Sequence, residues 1–164
     1  MIKTILIATD YSLESLNILK KVMRNKDASE DQNQYNILLV SGYDTGDSIR
    51  DLLFNTKSTI FNKLRPHEFC EAYSIIKNKY PHLIHKIVCD VFTGSFQRTF
   101  NNYVKAENIE EAYYSPSIKS NGNGKFDLIP YIKKCKDLTS YEISIELKKH
   151  LPEKGKLAEI FAEA

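Results

Sequence analysis

The chain has 164 residues, 42% of them hydrophobic, which is typical of one globular domain. Its 23 basic and 21 acidic residues leave a net charge of only +2, and the lysines are scattered along the sequence, which argues against nucleic acid as a partner. Cys70, Cys89 and Cys135 are odd in number and show no paired spacing, so we expect no disulfide framework and a reducing, cytoplasmic compartment.

Residues 2–8 form an apolar, β-branched run that predicts the first strand. The run is too short to span a membrane and lacks a cleavage site, so we expect no membrane or targeting segment. A polar turn with Thr9, Asp10 and Ser12 follows, and apolar residues at helical spacing begin at Leu16. Because open parallel sheets bind ligands at the carboxyl ends of their strands, these three turn residues are the first candidates for a site.

The same turn also suits a purely structural role. A hydroxyl or carboxylate just before a helix accepts hydrogen bonds from the first backbone N–H groups, and Ser12 is the more direct cap of the two residues Asp10 and Ser12. Capping and ligand binding are compatible, so both interpretations stay open.

Strand and helix signals then alternate along the chain. Residues 35–40 are a second apolar run, and residues 49–64 predict one helix or two short ones. Pro66 precedes a helical pattern over residues 67–79, and residues 83–92 predict the third strand.

A turn containing Gly94 leads into a helix predicted over residues 96–105. The fourth strand is predicted over residues 109–114, where Glu110 and Glu111 weaken the strand signal. The chain therefore continues its alternation of strand and helix.

The last part of the chain begins with a loop over residues 115–124 that is rich in Ser, Pro, Asn and Gly. Residues 126–135 form a helix if Pro130 is tolerated in its first turn. Residues 141–147 alternate apolar and polar side chains and predict a half-exposed fifth strand, while residues 152–164 show helical spacing.

This order predicts an α/β fold with a three-layer, open, mostly parallel five-stranded sheet, Rossmann-like, with helices on both faces. We expect one domain over residues 1–147, followed by a helical C-terminal extension over residues 148–164.

Neither a metal site nor a catalytic residue is predicted. His82, His85 and Cys89 lie close in sequence, but on a strand His85 and Cys89 share one face while His82 lies on the other. No Ser–His or Cys–His pair has recognisable surroundings in the sequence.

Two segments carry a resemblance to a known family. Residues 5–12, followed by Ser15 and Leu16, are similar to the opening strand, acidic turn and first helix of the universal stress proteins. Residues 91–95, leading to residues 103–109, are similar to the third strand, glycine turn, helix and fourth-strand approach of the same family. The resemblance spans roughly residues 1–147 and implies a universal-stress-protein-like fold.

The resemblance implies a homodimeric stress-response or signalling domain that is not a conventional enzyme, with weak ATP hydrolysis left open. It also implies binding of ATP or AMP, with Mg²⁺ accompanying ATP. In that family the adenosine end lies between the carboxyl ends of the first two strands, here at Thr9, Asp10 and the backbone of Val40. A carboxylate there accepts hydrogen bonds from ribose hydroxyls.

In the same family a glycine-rich loop after the fourth strand holds the triphosphate, which here implies Ser115, Gly122 and Gly124. Ser115 and Pro116 stand where the family has its first glycine, and a proline has no N–H to donate. The alternative is therefore a dimeric interaction or structural protein of the same fold that has lost nucleotide binding. A receiver-like phospho-acceptor domain ranks last, because Asp10 stands alone after the first strand.

The predicted fifth strand is also the expected interface. In the resembling family this strand forms the dimer contact, and an uncovered strand edge invites pairing. We expect a homodimer through residues 141–147. The alternative is that the segment from Pro152 covers this surface and leaves a monomer.

Overall fold

The structure is a computed structural model of the chain. It describes residues 1–30, 32–43, 67–94, 96–118 and 127–145. Three predictions lie outside these residues: the helices over residues 49–64, the loop glycines Gly122 and Gly124, and the extension over residues 148–164.

Five strands and four helices alternate along the described residues. In chain order they are β1 (Ile2–Ala8), α1 (Leu16–Ala28), β2 (Gln34–Gly42), α2 (His67–Lys79), β3 (Ile84–Phe92), α3 (Gln97–Ala106), β4 (Ile109–Tyr114), α4 (Ile129–Lys134) and β5 (Thr139–Glu142). The bounds of α2 and β4 are those predicted. Pro130 lies in the first turn of α4, where its missing N–H costs no helical hydrogen bond, and the helix is shorter than the predicted residues 126–135.

The sheet has the order β3-β2-β1-β4-β5, and every pair of neighbouring strands is parallel. Buried residues of α1 and α2 pack on one face, and those of α3 and α4 pack on the other. This confirms the predicted three-layer parallel α/β fold. Strands β2 and β3 are added on one side of β1, and strands β4 and β5 on the other. The strand order therefore reverses between β1 and β4.

The central strands are apolar on both faces. Ile5 and Ile7 of β1 point into the core beneath α1 and α2, whereas Leu6 and Ala8 point into the core beneath α3 and α4. Both faces of β1 are therefore buried, which explains why its sequence is a continuous apolar run and not an alternation. Within the described part of the chain, no helix is long and apolar enough to cross a membrane.

The fifth strand differs from its prediction. It begins at Thr139 and ends at Glu142, not over residues 141–147. Its partner β4 ends at Tyr114, which pairs with Glu142, so the ladder stops there except for one bond from the Ile143 N–H to the Tyr114 carbonyl (2.7 Å). Ile145 turns into the core beneath α1. The alternation that predicted the longer strand therefore reflects core contacts made beyond its end.

Candidate functional site

The carboxyl edge of the sheet brings most of the predicted site residues together. Thr9, Asp10 and Ser12 follow β1, and the Thr9 N–H donates to the Val40 carbonyl of β2 at 2.9 Å. Ser115 follows β4, which is the neighbour of β1 on its other side. Asp10 and Ser115 therefore flank the place where the strand order reverses, which is where open α/β sheets bind ligands.

A chain of hydrogen bonds fixes the turn after β1. The Ser15 hydroxyl donates to the Ser12 carbonyl (2.7 Å), which can only accept. Because that commits the single Ser15 hydroxyl proton, the 2.7 Å bond between the Thr9 and Ser15 hydroxyls has Thr9 as its donor. The Tyr11 N–H in turn donates to Thr9 Oγ1 at 2.9 Å. The Thr9 hydroxyl therefore donates to Ser15 and accepts from Tyr11, and both of these bonds stabilise the conformation of the turn.

Ser12 supports the entry into α1. Its Oγ accepts the Ser15 N–H at 3.3 Å, three residues ahead, which is the geometry of a helix cap. Successive i to i−3 backbone bonds over residues 12–18 carry the chain from the turn into the helix. The N-cap residue of α1 itself is Ser15, whose side chain makes no capping bond. Ser12 therefore caps the turn that precedes the helix and not, as predicted, the helix itself.

Asp10 is the predicted residue whose side chain retains acceptor capacity. Its carboxylate is half-buried, and Oδ1 accepts the Ser12 N–H at 2.9 Å in an Asx turn. Within the described ranges no residue donates a hydrogen bond to Oδ2. An ionised carboxylate offers about four lone-pair sites, so Asp10 has acceptors left for a hydroxyl-bearing ligand.

Tyr11, between Asp10 and Ser12, is the residue at this edge that sequence reasoning passes over. Its side chain is only 1% exposed, and its hydroxyl lies between the main-chain carbonyls of Leu39 (2.9 Å) and Asp90 (2.6 Å). The ring therefore extends from the end of β1 across β2 to β3. An aromatic residue inside an otherwise polar turn is the sequence signal that marks it.

Ser115 is fully buried, and its Oγ accepts the Ser117 N–H at 3.4 Å. Its carbonyl accepts the Ile118 N–H at 3.1 Å, so a turn follows β4 directly. Pro116 is exposed within this turn. The loop glycines that the resemblance assigns to phosphate, Gly122 and Gly124, lie outside the described residues.

At the end of β3 the Tyr103 hydroxyl donates to Asp90 Oδ2 at 2.8 Å. Burial, reinforced by the charge of Asp90 and this hydrogen bond, raises the pKa of Tyr103 above its ordinary value of 10.0. The pair joins α3 to the same edge of the sheet that carries the Tyr11 hydroxyl.

Other polar groups lie apart from this edge. His82 Nε2 is 2.7 Å from Asp27 Oδ1 near the amino end of the sheet. No group of three or more His, Cys, Asp or Glu side chains in the described ranges is arranged to hold a metal ion. A surface depression of about 320 Å³ is lined by Gln97, Pro130, Tyr131 and Lys134 and includes none of the predicted site residues.

No protein-family model matches the sequence, and no curated protein matches it. Two solved structures are similar to the chain in fold. One is a universal stress protein in complex with cAMP, with 10% identity, a TM-score of 0.47, and coverage of 88% of this chain and 98% of that chain. The other is a hypothetical protein, PH0823, with 15% identity, a TM-score of 0.41, and coverage of 88% and 99%. The five-stranded parallel sheet with helices on both faces is the α/β architecture that the sequence predicts.

Proposed function

We propose that the chain is a universal-stress-protein-like domain of stress response or signalling that binds an adenine nucleotide, ATP or AMP, with Mg²⁺ accompanying ATP. The observation that carries this proposal is the position of Asp10, a half-buried carboxylate at the carboxyl end of the central strand, beside the reversal of strand order. The segment around Asp10 is also one of the two that carry the family resemblance.

The chemistry of Asp10 suits a ribose. A carboxylate oxygen accepts hydrogen bonds from the two neighbouring hydroxyls of a ribose ring, and bonds to an ionised acceptor contribute about 1.5–3 kcal/mol. Asp10 Oδ1 is held by the Ser12 N–H, which fixes the direction of the carboxylate before a ligand arrives. Such pre-organisation lowers the cost of binding.

The bound nucleotide acts as a signal in this proposal and is not turned over. The three cysteines are free thiols, which suits the reducing cytoplasm that we propose as the compartment. Steady release of inorganic phosphate from Mg-ATP by the purified protein, lost in Asp10→Asn, would contradict the non-enzymatic part of the proposal.

The test is thermal unfolding with and without Mg-ATP, AMP and cyclic AMP, for the wild type and Asp10→Asn. A nucleotide at about 100 times its dissociation constant adds roughly 2.7 kcal/mol and raises Tm by about 5–11 °C at this chain length. Asp10→Asn should abolish the shift. Asp27→Asn is the matched control. It removes the same charge near the amino ends of the strands, far from Asp10, and should leave the Tm shift unchanged. No shift in the wild type with any of the three nucleotides would overturn nucleotide binding.

A second candidate is a dimeric interaction protein of the same fold that has lost nucleotide binding. The position of Tyr11 favours it, because the buried ring fills space over the ends of β2 and β3 that a ligand could otherwise use. Ser115 and Pro116, in place of glycine, favour it as well.

We propose that the chain forms a homodimer through the edge strand β5 under either candidate. All four residues of β5 are exposed, and the Tyr141 side chain, 43% exposed, stacks on Tyr113 with ring centroids 5.1 Å apart. In the described part of the chain β5 pairs with β4 alone, so its other edge offers N–H and C=O groups to a second strand.

A further inference from the structure

The three residues after β5 lead from the edge of the sheet to the first helix. The Ile143 N–H donates to the last carbonyl of β4 at 2.7 Å, which extends the parallel ladder by one bond. The Ser144 carbonyl accepts a hydrogen bond from the ammonium group of Lys21 in α1. Ile145 is 7% exposed and packs in the core cluster beneath α1. Residues 143–145, hereafter the strap, therefore join β4, β5 and α1 at the carboxyl edge.

The strap also contacts the turn that follows β4. The Ser117 hydroxyl donates to the Ile145 carbonyl in a long hydrogen bond of 3.4 Å, and Ile118 is buried in the same core cluster as Ile145. The turn closes on Ser115, whose Oγ accepts the Ser117 N–H and whose carbonyl accepts the Ile118 N–H. Ser115 is 0% exposed. The residue that the family resemblance assigns to the phosphate end of a nucleotide is thus covered while the strap holds this turn.

Within the part of the chain that the structure describes, few contacts hold the strap. Only Ile145 contributes a buried side chain, since Ile143 is half-buried and Ser144 is exposed. The bond from Lys21 lies at the surface, where water competes for both of its groups. A segment with one buried side chain and a few hydrogen bonds opens at a much lower free-energy cost than the whole domain unfolds. The strap can therefore leave the edge while the sheet stays folded.

We propose that the strap gates the nucleotide site: while it is closed Ser115 stays covered, and its release admits the phosphates of the ligand. This inference rests on the proposed function, because it concerns the access of that ligand. Asp10 makes no contact with the strap in the described residues, so a nucleoside without phosphate does not need the release. The apparent affinity for a phosphorylated ligand is then the intrinsic affinity multiplied by the fraction of molecules in which the strap is open.

The first measurement needs no ligand. In a background of Cys70→Ala and Cys89→Ala, Ser115→Cys introduces a thiol at the covered position, and the native Cys135, 6% exposed in the opposite core cluster, is the reference. Alkylation by iodoacetamide, followed by mass spectrometry of the two peptides, gives both rates. The thiol at position 115 should react faster than Cys135, because release of the strap costs less than unfolding. Ile145→Ala should accelerate it at least about tenfold.

Two matched controls separate release of the strap from general loosening. Ile76→Ala removes the same side chain from the same core cluster, in the helix that precedes β3 on the far side of the sheet. It should leave the rate at position 115 unchanged, although it destabilises the domain. Lys21→Met should raise that rate about threefold, whereas Lys105→Met, at an exposed lysine of α3, should not. Equal acceleration by Ile145→Ala and Ile76→Ala would mean that only unfolding exposes position 115, and would overturn the inference.

The second measurement compares Mg-ATP with adenosine by calorimetry, with Ser115 unchanged. Ile145→Ala should bind Mg-ATP about five- to tenfold more tightly than the wild type, because more molecules have the strap open. Its affinity for adenosine should equal that of the wild type. If Ile145→Ala does not fold, Ile145→Val makes a smaller cavity and should give a gain of about twofold for Mg-ATP alone.

The proposed function and this inference fail in different ways. If Mg-ATP binds the wild type and the Ile145 variants with equal affinity, the strap does not gate the site, and the inference is overturned while nucleotide binding stands. An equal gain for adenosine would also overturn it, because the effect would not lie at the phosphate end. If neither ligand binds any of the proteins, nucleotide binding is overturned and the gating of phosphate falls with it. Faster alkylation at position 115 together with a gain for Mg-ATP alone supports the gate.

Discussion

Asp90 and Tyr103 are joined by a 2.8 Å hydrogen bond in which the tyrosine hydroxyl donates to Oδ2, while the other carboxylate oxygen accepts the Val91 N–H at 2.8 Å. Asp90 thereby ties α3 to the end of β3. Its main-chain carbonyl accepts a hydrogen bond from the Tyr11 hydroxyl, and the Tyr11 ring packs on Phe69 of α2. Asp90 is thereby linked to α3 directly and to α2 through Tyr11.

Two buried tyrosine hydroxyls predict a loss of stability at high pH: that of Tyr103, which donates to Asp90, and that of Tyr113, which donates to Glu111. Burial is the main cause that raises the pKa of Tyr103 and Tyr113 above the ordinary value of 10.0, aided by Asp90 and Glu111 respectively. The unfolded chain loses these protons near pH 10 while the folded chain keeps them. The stabilisation is therefore complete below about pH 10 and is lost as the pH rises toward the raised folded values.

The free energy of unfolding should fall by up to about 1.4 kcal/mol per pH unit for each tyrosine above about pH 10. Urea unfolding between about pH 9 and pH 11 measures it. The double variant Tyr103→Phe/Tyr113→Phe should show a shallower decline. The same slope in both proteins would mean that other groups cause the loss.

A partly buried ion pair between α1 and β4 predicts a coupling energy. Lys26 Nζ lies 3.2 Å from Glu111 Oε2, with side-chain exposures of 13% and 22%, and the Tyr113 hydroxyl also donates to this oxygen at 2.6 Å. Lys26→Met leaves the carboxylate without its counter-charge and should cost about 1–3 kcal/mol. Adding Glu111→Gln should recover at least about 1 kcal/mol of that loss, measured by urea unfolding in a double-mutant cycle.

The exposed pair of Lys105 and Asp137, 3.8 Å apart, is the control for that cycle. Its coupling should be below about 0.5 kcal/mol, because water screens exposed charges. Equal coupling in the two pairs would show that burial does not strengthen the pair on β4.

Gly94, between β3 and α3, is predicted to resist substitution for steric reasons. A Cβ at this position would lie 2.6 Å from Thr99 Cγ2 and 2.7 Å from Phe92 Cζ. Gly94→Ala should therefore destabilise the protein by about 1–3 kcal/mol in urea unfolding. Thr99→Ser removes the closer methyl, so the double variant should lose less than the two single changes together; strict additivity would locate the cost elsewhere.

The homodimer predicted through β5 can be tested at an exposed position. Tyr141→Asp places a charge on the open edge and should give folded monomers in sedimentation velocity, with the free energy of unfolding of the protomer lowered by about 0.5–1.5 kcal/mol through loss of the stacking on Tyr113. Val88→Asp is the matched control, because Val88 is 39% exposed on the opposite edge strand β3. A wild type that sediments as a monomer at micromolar concentration would contradict the predicted interface.

Local patterns were enough to predict most of the fold. The continuous apolar runs of β1 and β2 reflect burial on both faces, and Pro66 and Pro81 bracket α2 at its observed bounds. The bounds of β5 could not be predicted from its own alternation, because the end of β4 at Tyr114 determines where pairing stops.

The sequence predicted which residues lie at the candidate site but not the hydrogen bonds that join them. The polar turn after β1 indicates Thr9, Asp10 and Ser12 as site candidates. No rule of sequence spacing predicts that the Thr9 hydroxyl donates its proton to Ser15. The inward turn of Tyr11 depends on a left-handed backbone that only the surrounding hydrogen bonds enforce. Such a conformation follows from tertiary contacts, which a linear pattern does not record.

The central place of β1 constrains how the protein assembles. Strand β1 pairs with β2 on one side, but its other side can pair only after β4, which begins at Ile109, has been synthesised. Until then a nascent or truncated chain presents an apolar strand with open hydrogen-bonding groups. Pairing across such a separation is slow, and exposed edges of this kind associate with one another. Fragments that end before β4 should therefore aggregate.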